Sequence, residues 1–204
     1  MVSPRTEPSE DPDERHLIER LLQYNEDAWL ELVSRERDRI YNLALRITRN
    51  PDEAEEVLQD TLLTIFNKIQ TFRSESRLST WIHAIASNAA LSRLRKKHTT
   101  DVTFDEEISL NTDKALFRNG AYLFQPPTGR DALIEAELSR LLEQAIDELP
   151  DGYREIYIMK ELENLPVKTI AEICDIRPGA VKTRLHRARL MLRLKLSDYW
   201  DGTA

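Results

Sequence analysis

The chain has 204 residues, of which 41% are hydrophobic and 32% charged, and its net charge is −7. This size and apolar content suit one or two domains with a real core, and the scarcity of glycine and of alternating β-branched runs argues against a β-sandwich or a doubly wound α/β fold. The lone cysteine, Cys174, excludes an internal disulfide and a cysteine-based zinc finger.

Helical periodicity dominates the first part of the chain. We expect residues 1–14, which are acidic and contain proline, to be disordered, and they lack the apolar core of a signal peptide. Apolar residues then recur at helical spacing over 16–49. Asn25 and Asn50 carry side chains that cap helix N-termini, and Pro51 suits the first position of the helix after Asn50.

A long segment with little helical periodicity separates the first helical region from a second one. We expect a polar loop at 73–77, a helix over 79–97, and then a linker over 98–130, where turn signals are frequent. Helical patterns return from residue 131. The sequence therefore predicts an all-α protein of two small helical domains, 15–97 and 131–200, joined by a flexible acidic linker.

Charge is distributed very unevenly along the chain. Residues 61–100 carry a net charge of +6, whereas residues 1–60 carry −8 and residues 101–150 carry −7. Residues 177–195 contain seven basic residues and no acidic one. Acidic surfaces limit indiscriminate binding, while local basic faces can still neutralise phosphates. The alternative is that these two basic segments are only solvent-exposed helix faces without a ligand. Against it, each basic segment lies beside a recognisable motif.

The C-terminal motif has the spacing of a helix-turn-helix. Ala171 is small enough for a second helix to approach the first, and Asp175 is a turn residue that tolerates left-handed backbone. One apolar stripe follows, made of Val181, Leu185, Ala188 and Leu192. At about 100° per residue, the opposite face should present Lys182, Thr183, His186 and Arg187. Such a face suits a major-groove helix, with an ordinary amphipathic surface helix as the alternative.

The N-terminal motif combines an acidic polar helix, 55–61, with a following segment of interleaved aromatic and basic residues. Aromatic side chains among basic residues suit the stacking of unpaired bases, and Phe72 and Trp81 are the candidates. Burial in the core is the alternative for both residues, and it is the commoner role for a lone tryptophan such as Trp81.

Together the two motifs resemble the extracytoplasmic-function (ECF) family of bacterial RNA polymerase sigma factors. The first motif resembles sigma region 2, and residues 149–196 resemble region 4. The segment between them is too short for a folded region 3, and no acidic region 1.1 is present, as in the ECF class. The resemblance implies a factor that directs core RNA polymerase to minus-10 and minus-35 promoter elements in a stress or envelope response.

The resemblance also implies roles for individual residues. Contact with the clamp helices of the largest polymerase subunit is implied for Glu56, Gln59, Asp60 and Leu63. Contact with the minus-10 region is implied for Phe72, Arg73, Asn88, Arg93, Arg95, Lys96 and Lys97. Contact with the minus-35 element is implied for Lys182, Thr183, Arg184, His186, Arg187 and Arg189.

Residues outside the centres of these predicted surfaces have expected roles as well. Arg184 and Arg189 lie off the centre of the helix face and suit phosphate contacts better than base contacts. Trp81 is implied to be structural, and residues 141–162 should meet the flap of the beta subunit. The family usually has serine where Pro166 stands, so we expect Pro166 at the first helical position without a side-chain cap.

The expected partners are core polymerase, promoter DNA and an anti-sigma factor, which in this family is often held at the inner membrane. The factor itself should be cytoplasmic, because no stretch approaches 18 uncharged apolar residues. No catalytic, metal or cofactor site is expected: the four histidines are scattered, and HExxH, P-loop and GxSxG motifs are absent. The alternatives are a response regulator with a LuxR-type helix-turn-helix, an enzyme, and a degenerate homologue that binds polymerase without initiating.

Overall fold

The structure, a computed structural model, describes residues 11–97 and 132–200, and within these ranges the chain forms helices and turns without a strand. The N-terminal unit contains α1 (Pro12–Leu22), α2 (Glu26–Thr48), α3 (Pro51–Lys68), a 3₁₀ turn (Ile69–Thr71) and α4 (Leu78–Lys97). The C-terminal unit contains α5 (Ala132–Asp147), α6 (Arg154–Tyr157) continuing into a π-helical turn (Ile158–Leu162), α7 (Val167–Cys174) and α8 (Pro178–Trp200). The all-α, two-unit prediction is confirmed, and the linker predicted over 98–130 lies outside the described residues.

Helix starts in the N-terminal unit follow from local capping chemistry. The Asn25 side chain accepts a hydrogen bond of 2.9 Å from the Ala28 amide, and Asn50 accepts from two amides of the first turn of α3. Pro51 occupies the first turn of α3, as predicted. The helix α1 begins at Pro12, earlier than expected, because Asp11 caps it by accepting from the Asp13 amide at 3.0 Å.

The core of the N-terminal unit lies between α2, α3 and α4, which pack against one another. Their apolar faces are completely buried, and the side chains concerned include Ile40, Leu43, Ile47, Ile65 and Ile82. Burying an aliphatic side chain of this size contributes about 1.5–3 kcal/mol, so these side chains stabilise the packing of the three helices.

The C-terminal unit contains the predicted helix-turn-helix. Asp175 ends α7 with φ of 55°, in the left-handed conformation expected of the turn. The predicted apolar stripe of α8 is buried, and it consists of Val181, Leu185, Ala188 and Leu192. Pro166 differs from expectation, since it is the N-cap with extended backbone and Val167 is the first helical residue; the predicted loss of a side-chain cap is observed.

The two units pack against each other. The first helix of the helix-turn-helix, α7, lies against α4, and the π-helical turn lies against α2. Side chains of each unit also donate hydrogen bonds to backbone carbonyls of the other, as Arg95 does to Ile173 and Arg154 does to Ile47. In the described part of the chain, no helix is both long enough and apolar enough to cross a membrane.

Candidate polymerase and nucleic-acid interfaces

One face of α3 gathers the residues predicted to contact polymerase. Glu56, Gln59, Asp60 and Leu63 are spaced at i, i+3, i+4 and i+7, so they share one side of the helix, and all four are exposed. Leu63 is 63% exposed, so this face presents a large apolar side chain beside its acidic and amide groups. The opposite side of α3 is buried through Val57, Leu58 and Ile65.

An apolar groove that the sequence does not predict adjoins this face. It lies between α2 and α3 and is lined by Tyr24, Glu26, Trp29, Val33, Leu62, Leu63 and Phe66. The Phe66 ring, 47% exposed, packs on Trp29 with centroids 5.0 Å apart and on Tyr24 at 5.5 Å. The sequence does contain one sign of this groove: Leu63 and Phe66, at i and i+3, place two apolar side chains on a face that also carries acidic residues.

Arg93 connects the predicted polymerase face with the predicted promoter surface. It lies in the C-terminal half of α4, and its guanidinium pairs with both Glu56 and Asp60 of α3, the latter at 3.0 Å. A residue predicted to hold promoter DNA is therefore paired with two residues predicted to hold polymerase.

The predicted minus-10 residues occupy different environments. Phe72 is half-buried, and its ring packs on Trp81 with centroids 5.2 Å apart, so Trp81 supports it from the start of α4. Asn88 is exposed in the middle of α4, and Arg73 is exposed in the preceding loop. The structure therefore leaves Asn88 accessible to a ligand, while one part of Phe72 is used in packing.

The basic end of α4 is engaged by the C-terminal unit. Arg95 donates a hydrogen bond of 3.0 Å to the carbonyl of Ile173, near the end of α7. Lys96 is exposed, and Lys97 is the last residue of the helix. Of the basic side chains predicted for this end, Arg95 is thus committed to a contact between the two units.

The face of α8 predicted to contact DNA lies opposite the buried stripe, as the sequence predicts, and differs from expectation in the burial of Arg187. Lys182, Thr183 and His186 are exposed opposite the buried stripe, and the Thr183 hydroxyl donates to the Gly179 carbonyl at 3.1 Å. Arg187 is half-buried rather than fully exposed, as is Arg184. A helix with one buried side and hydrogen-bonding groups on the other can place those groups in a DNA groove.

Arg189 lies in the middle of the same helix. Its guanidinium is half exposed and is 2.6 Å from the Glu161 carboxylate of the π-helical turn. An exposed pair of this kind is worth little, so Arg189 can exchange Glu161 for a phosphate at small cost.

A buried charged cluster at the junction of the two units was not anticipated from the sequence. His83 of α4 lies between Glu36 of α2, 3.3 Å from Nε2, and Glu163 of the C-terminal unit, 2.8 Å from Nδ1. Burial is the largest influence and lowers the pKa of His83, but the hydrogen bonds and charges of Glu163 and Glu36 outweigh it and raise the pKa to about 9. His83 is therefore an imidazolium at neutral pH.

A second buried charge, Arg154, begins α6. It is only 1% exposed, and its guanidinium donates to the Ile47 carbonyl at 3.1 Å and lies 3.2 Å from both Glu155 and Asp151. Burial lowers the pKa of Arg154, and burial raises the pKa of its neighbour Glu155. Among the described residues, no three histidine, cysteine or acidic side chains are grouped so as to hold a metal ion.

Two family models match the regions of the chain that contain most of these residues. The Sigma-70 region 2 family model matches residues 32–100, and the Sigma-70, region 4 model matches residues 139–192. The chain is 33% identical to the ECF RNA polymerase sigma factor SigW of Bacillus subtilis, over 89% of this chain and 95% of the relative. It is 32% identical to the ECF RNA polymerase sigma-E factor of Haemophilus influenzae, over 88% of this chain and 93% of the relative.

Solved structures share the fold. A chain from the structure of CnrH in complex with the cytosolic domain of CnrY matches 90% of this chain with a TM-score of 0.55 and 18% identity. A chain from the complex of the sigma factor RpoE with the anti-sigma factor NepR of Bartonella quintana matches 82% with a TM-score of 0.53.

The chain belongs to the ECF family of RNA polymerase sigma factors, the subunits that direct the polymerase to promoters. Its family acts in transcription regulation rather than in catalysis. The regions matched by the two family models contain the α3 face and α4, and nearly all of the helix-turn-helix.

Proposed function

We propose that this sigma factor binds the clamp helices of the largest polymerase subunit through the α3 face and the apolar groove beside it. The groove is supported by three aromatic rings, and Leu63 belongs both to it and to the α3 face. Exposed apolar surface rimmed by charged residues is typical of protein-binding sites. The flap of the beta subunit is the proposed partner of residues 141–162.

The proposed promoter contacts divide between the two units. The single observation that carries them is the recognition helix α8, where Lys182, Thr183 and His186 are exposed opposite a fully packed stripe. These side chains, with Arg187, would read the minus-35 element in the major groove, while Arg184 and Arg189 would hold phosphates. Phe72, Asn88 and the basic residues of α4 would engage the minus-10 region.

Regulation by an anti-sigma factor belongs to the same proposal. Both solved neighbours are complexes, one of which names an anti-sigma factor. A stress or envelope response, with the anti-sigma factor at the inner membrane and this chain in the cytoplasm, is the setting that the family resemblance favours.

The function is tested by single-round transcription with core polymerase on a library of promoters. We expect promoter-dependent transcripts from the native chain, and reduced core binding and transcription from Asp60→Lys. Asp38→Lys is the matched control, because Asp38 is an exposed acid on α2 outside the predicted face. Equal effects of the two charge reversals would contradict the α3 assignment. Core binding without any transcript would identify a degenerate homologue.

A further inference from the structure

The first helix, α1, is an integral part of the N-terminal unit. It packs against α2 and against the 3₁₀ turn that follows α3. Its buried side chains are Leu17, Ile18 and Leu21. Arg20 of α1 also pairs with Glu31 of α2. The helix therefore has a fixed position from which it can hold other parts of the unit.

Two hydrogen bonds connect α1 with the two ends of one loop, residues 72–77. The Leu78 amide, at the start of α4, donates to the Glu14 carboxylate at 2.5 Å. The Gln70 side-chain amide, in the 3₁₀ turn just before the loop, donates to the Leu22 carbonyl at 2.7 Å. Glu14 and Leu22 lie about 12 Å apart along the helix, at 1.5 Å per residue, so α1 reaches both ends of the loop.

Both bonds satisfy backbone groups at helix ends. The first amides and the last carbonyls of a helix have no partner within it. Glu14 places a carboxylate at the N-terminus of α4, where the helix dipole favours negative charge. Gln70 bonds to the carbonyl of Leu22, the last residue of α1. The two side chains thus fix the ends of the helices between which the loop runs.

The loop held in this way contains a strained residue and two proposed minus-10 contacts. Ser74 has φ of 54°, in the left-handed region that residues other than glycine seldom adopt. Such a conformation persists only where the surrounding structure holds it. Phe72 and Arg73 are the first two residues of the loop. The positions of Phe72 and Arg73 therefore depend on how firmly the two loop ends are held.

We propose that α1 is a positioning element for promoter opening, in which Glu14 and Gln70 fix the two ends of the 72–77 loop and hold Phe72 and Arg73 ready for an unpaired minus-10 base. The inference rests on the proposed minus-10 contacts of Phe72 and Arg73. A loop already held in its binding conformation loses less conformational freedom when it binds. Glu14 and Gln70 are thus positioning residues, which strengthen minus-10 binding without touching DNA.

The first test measures whether α1 holds the loop in the full-length free protein. The amides of Phe72 and Trp81 are bonded to Ile69 and Arg77, so their hydrogen exchange reports on the two loop ends. We expect exchange at least about fivefold faster in Glu14→Ala, with the α2 and α3 core unchanged. Glu19→Ala, which removes an exposed acid of the same helix, is the matched control and should exchange as the native chain does. Unchanged exchange in Glu14→Ala would overturn the proposal.

The second test measures promoter opening by the factor bound to core polymerase, through permanganate reactivity in the minus-10 region. We expect Glu14→Ala and Gln70→Ala to form open complexes at least about fivefold more slowly than the native chain and Glu19→Ala. Core affinity and the ranking of minus-35 variants should stay unchanged, which a general loss of structure would not allow. Unchanged opening in both variants, or an equal loss of core binding, would overturn the positioning role.

Conservative variants of Glu14 separate position from charge. Glu14→Gln keeps an acceptor oxygen at the same reach and should restore most of the opening rate. Glu14→Asp keeps the charge but is one methylene shorter, so it should open promoters as slowly as Glu14→Ala. The reverse order would assign the effect to charge and overturn the positioning role. A native chain that gives no transcripts with core polymerase would refute the proposed function and the role in opening, while hydrogen exchange would still decide whether α1 holds the loop.

Discussion

The guanidinium of Arg154, in the C-terminal unit, donates a 3.1 Å hydrogen bond to the carbonyl of Ile47, the penultimate residue of α2. The arginine is almost fully buried there and is also paired with Glu155. One side chain thus neutralises a buried carboxylate and satisfies a helix end in the other unit.

Removal of Arg154 should be costly. Arg154→Ala leaves Glu155 buried without its main cationic partner, and we expect a loss of about 3–5 kcal/mol in the free energy of unfolding. Chemical denaturation monitored by circular dichroism measures it. Arg46→Ala is the control, because Arg46 is exposed and 3.7 Å from Glu143, so its loss should be below about 1 kcal/mol. A similar loss for both variants would contradict the importance of burial.

Stability should fall as the pH rises through the titration of His83. The pKa of His83 is raised to about 9 in the fold from an ordinary value of 6.5, so folding favours the protonated form. Its contribution is fully present below pH 6.5 and is lost as the pH rises toward 9; it amounts to about 3 kcal/mol. Urea unfolding between pH 6 and 9.5 measures this slope. His83→Gln should be less stable at pH 6, and its free energy of unfolding should depend much less on pH. An equal pH dependence in both proteins would mean that a group other than His83 titrates.

Leu63 should be important for polymerase binding. Leu63→Asp places a charge in the apolar groove, and we expect core affinity to fall at least about tenfold, or 1.4 kcal/mol. Leu30→Asp is a close control, because Leu30 is also 63% exposed but lies outside the groove. Fluorescence anisotropy with labelled factor measures both. If Leu30→Asp weakens binding as much as Leu63→Asp, the groove is not the contact.

Asn88 should affect which minus-10 sequences are opened. An exposed amide can pair with a base edge, so Asn88→Ala should change the ranking of minus-10 variants more than the overall affinity. Open-complex formation on a panel of such variants, measured by permanganate reactivity, reports the ranking. An unchanged ranking would mean that Asn88 does not contact a base.

Two arginines of α8 should behave differently. Arg187→Ala should flatten the preference among minus-35 variants, because a bidentate arginine–guanine pair contributes about 1–3 kcal/mol of discrimination. Arg189→Ala should weaken all variants similarly and reduce the salt slope by about 1, as expected for a phosphate contact. Binding titrations at several salt concentrations separate the two effects. Equal weakening of every sequence by Arg187→Ala would show that the reading face is rotated from the assigned one.

Local chemistry explains what could be predicted from the sequence. The features that were predicted correctly each depend on residues within a few positions of one another. They are the helix caps by Asn25 and Asn50, the left-handed backbone of Asp175 and the buried stripe beginning at Val181. Residue type and spacing are therefore enough to predict these features.

Contacts between distant parts of the chain could not be read in this way. Glu36, His83 and Glu163 meet only because three elements from both units converge, and their spacing in sequence carries no period. The groove around Trp29 and Phe66 likewise depends on how α2 crosses α3. The predicted position of Pro166 is wrong by one residue: its backbone is extended, so it is the N-cap of α7, and helix ends are less certain from sequence than the helices themselves.

The bridge from Arg93 to Glu56 and Asp60 makes two surfaces thermodynamically dependent on each other. Any ligand that takes these carboxylates must compete with the guanidinium, and any ligand that takes the guanidinium must compete with the carboxylates. By reciprocity, each of the two ligands then favours the other by the same factor. One half-buried arginine thus couples the binding of a ligand at the carboxylates of α3 to the binding of a ligand at α4.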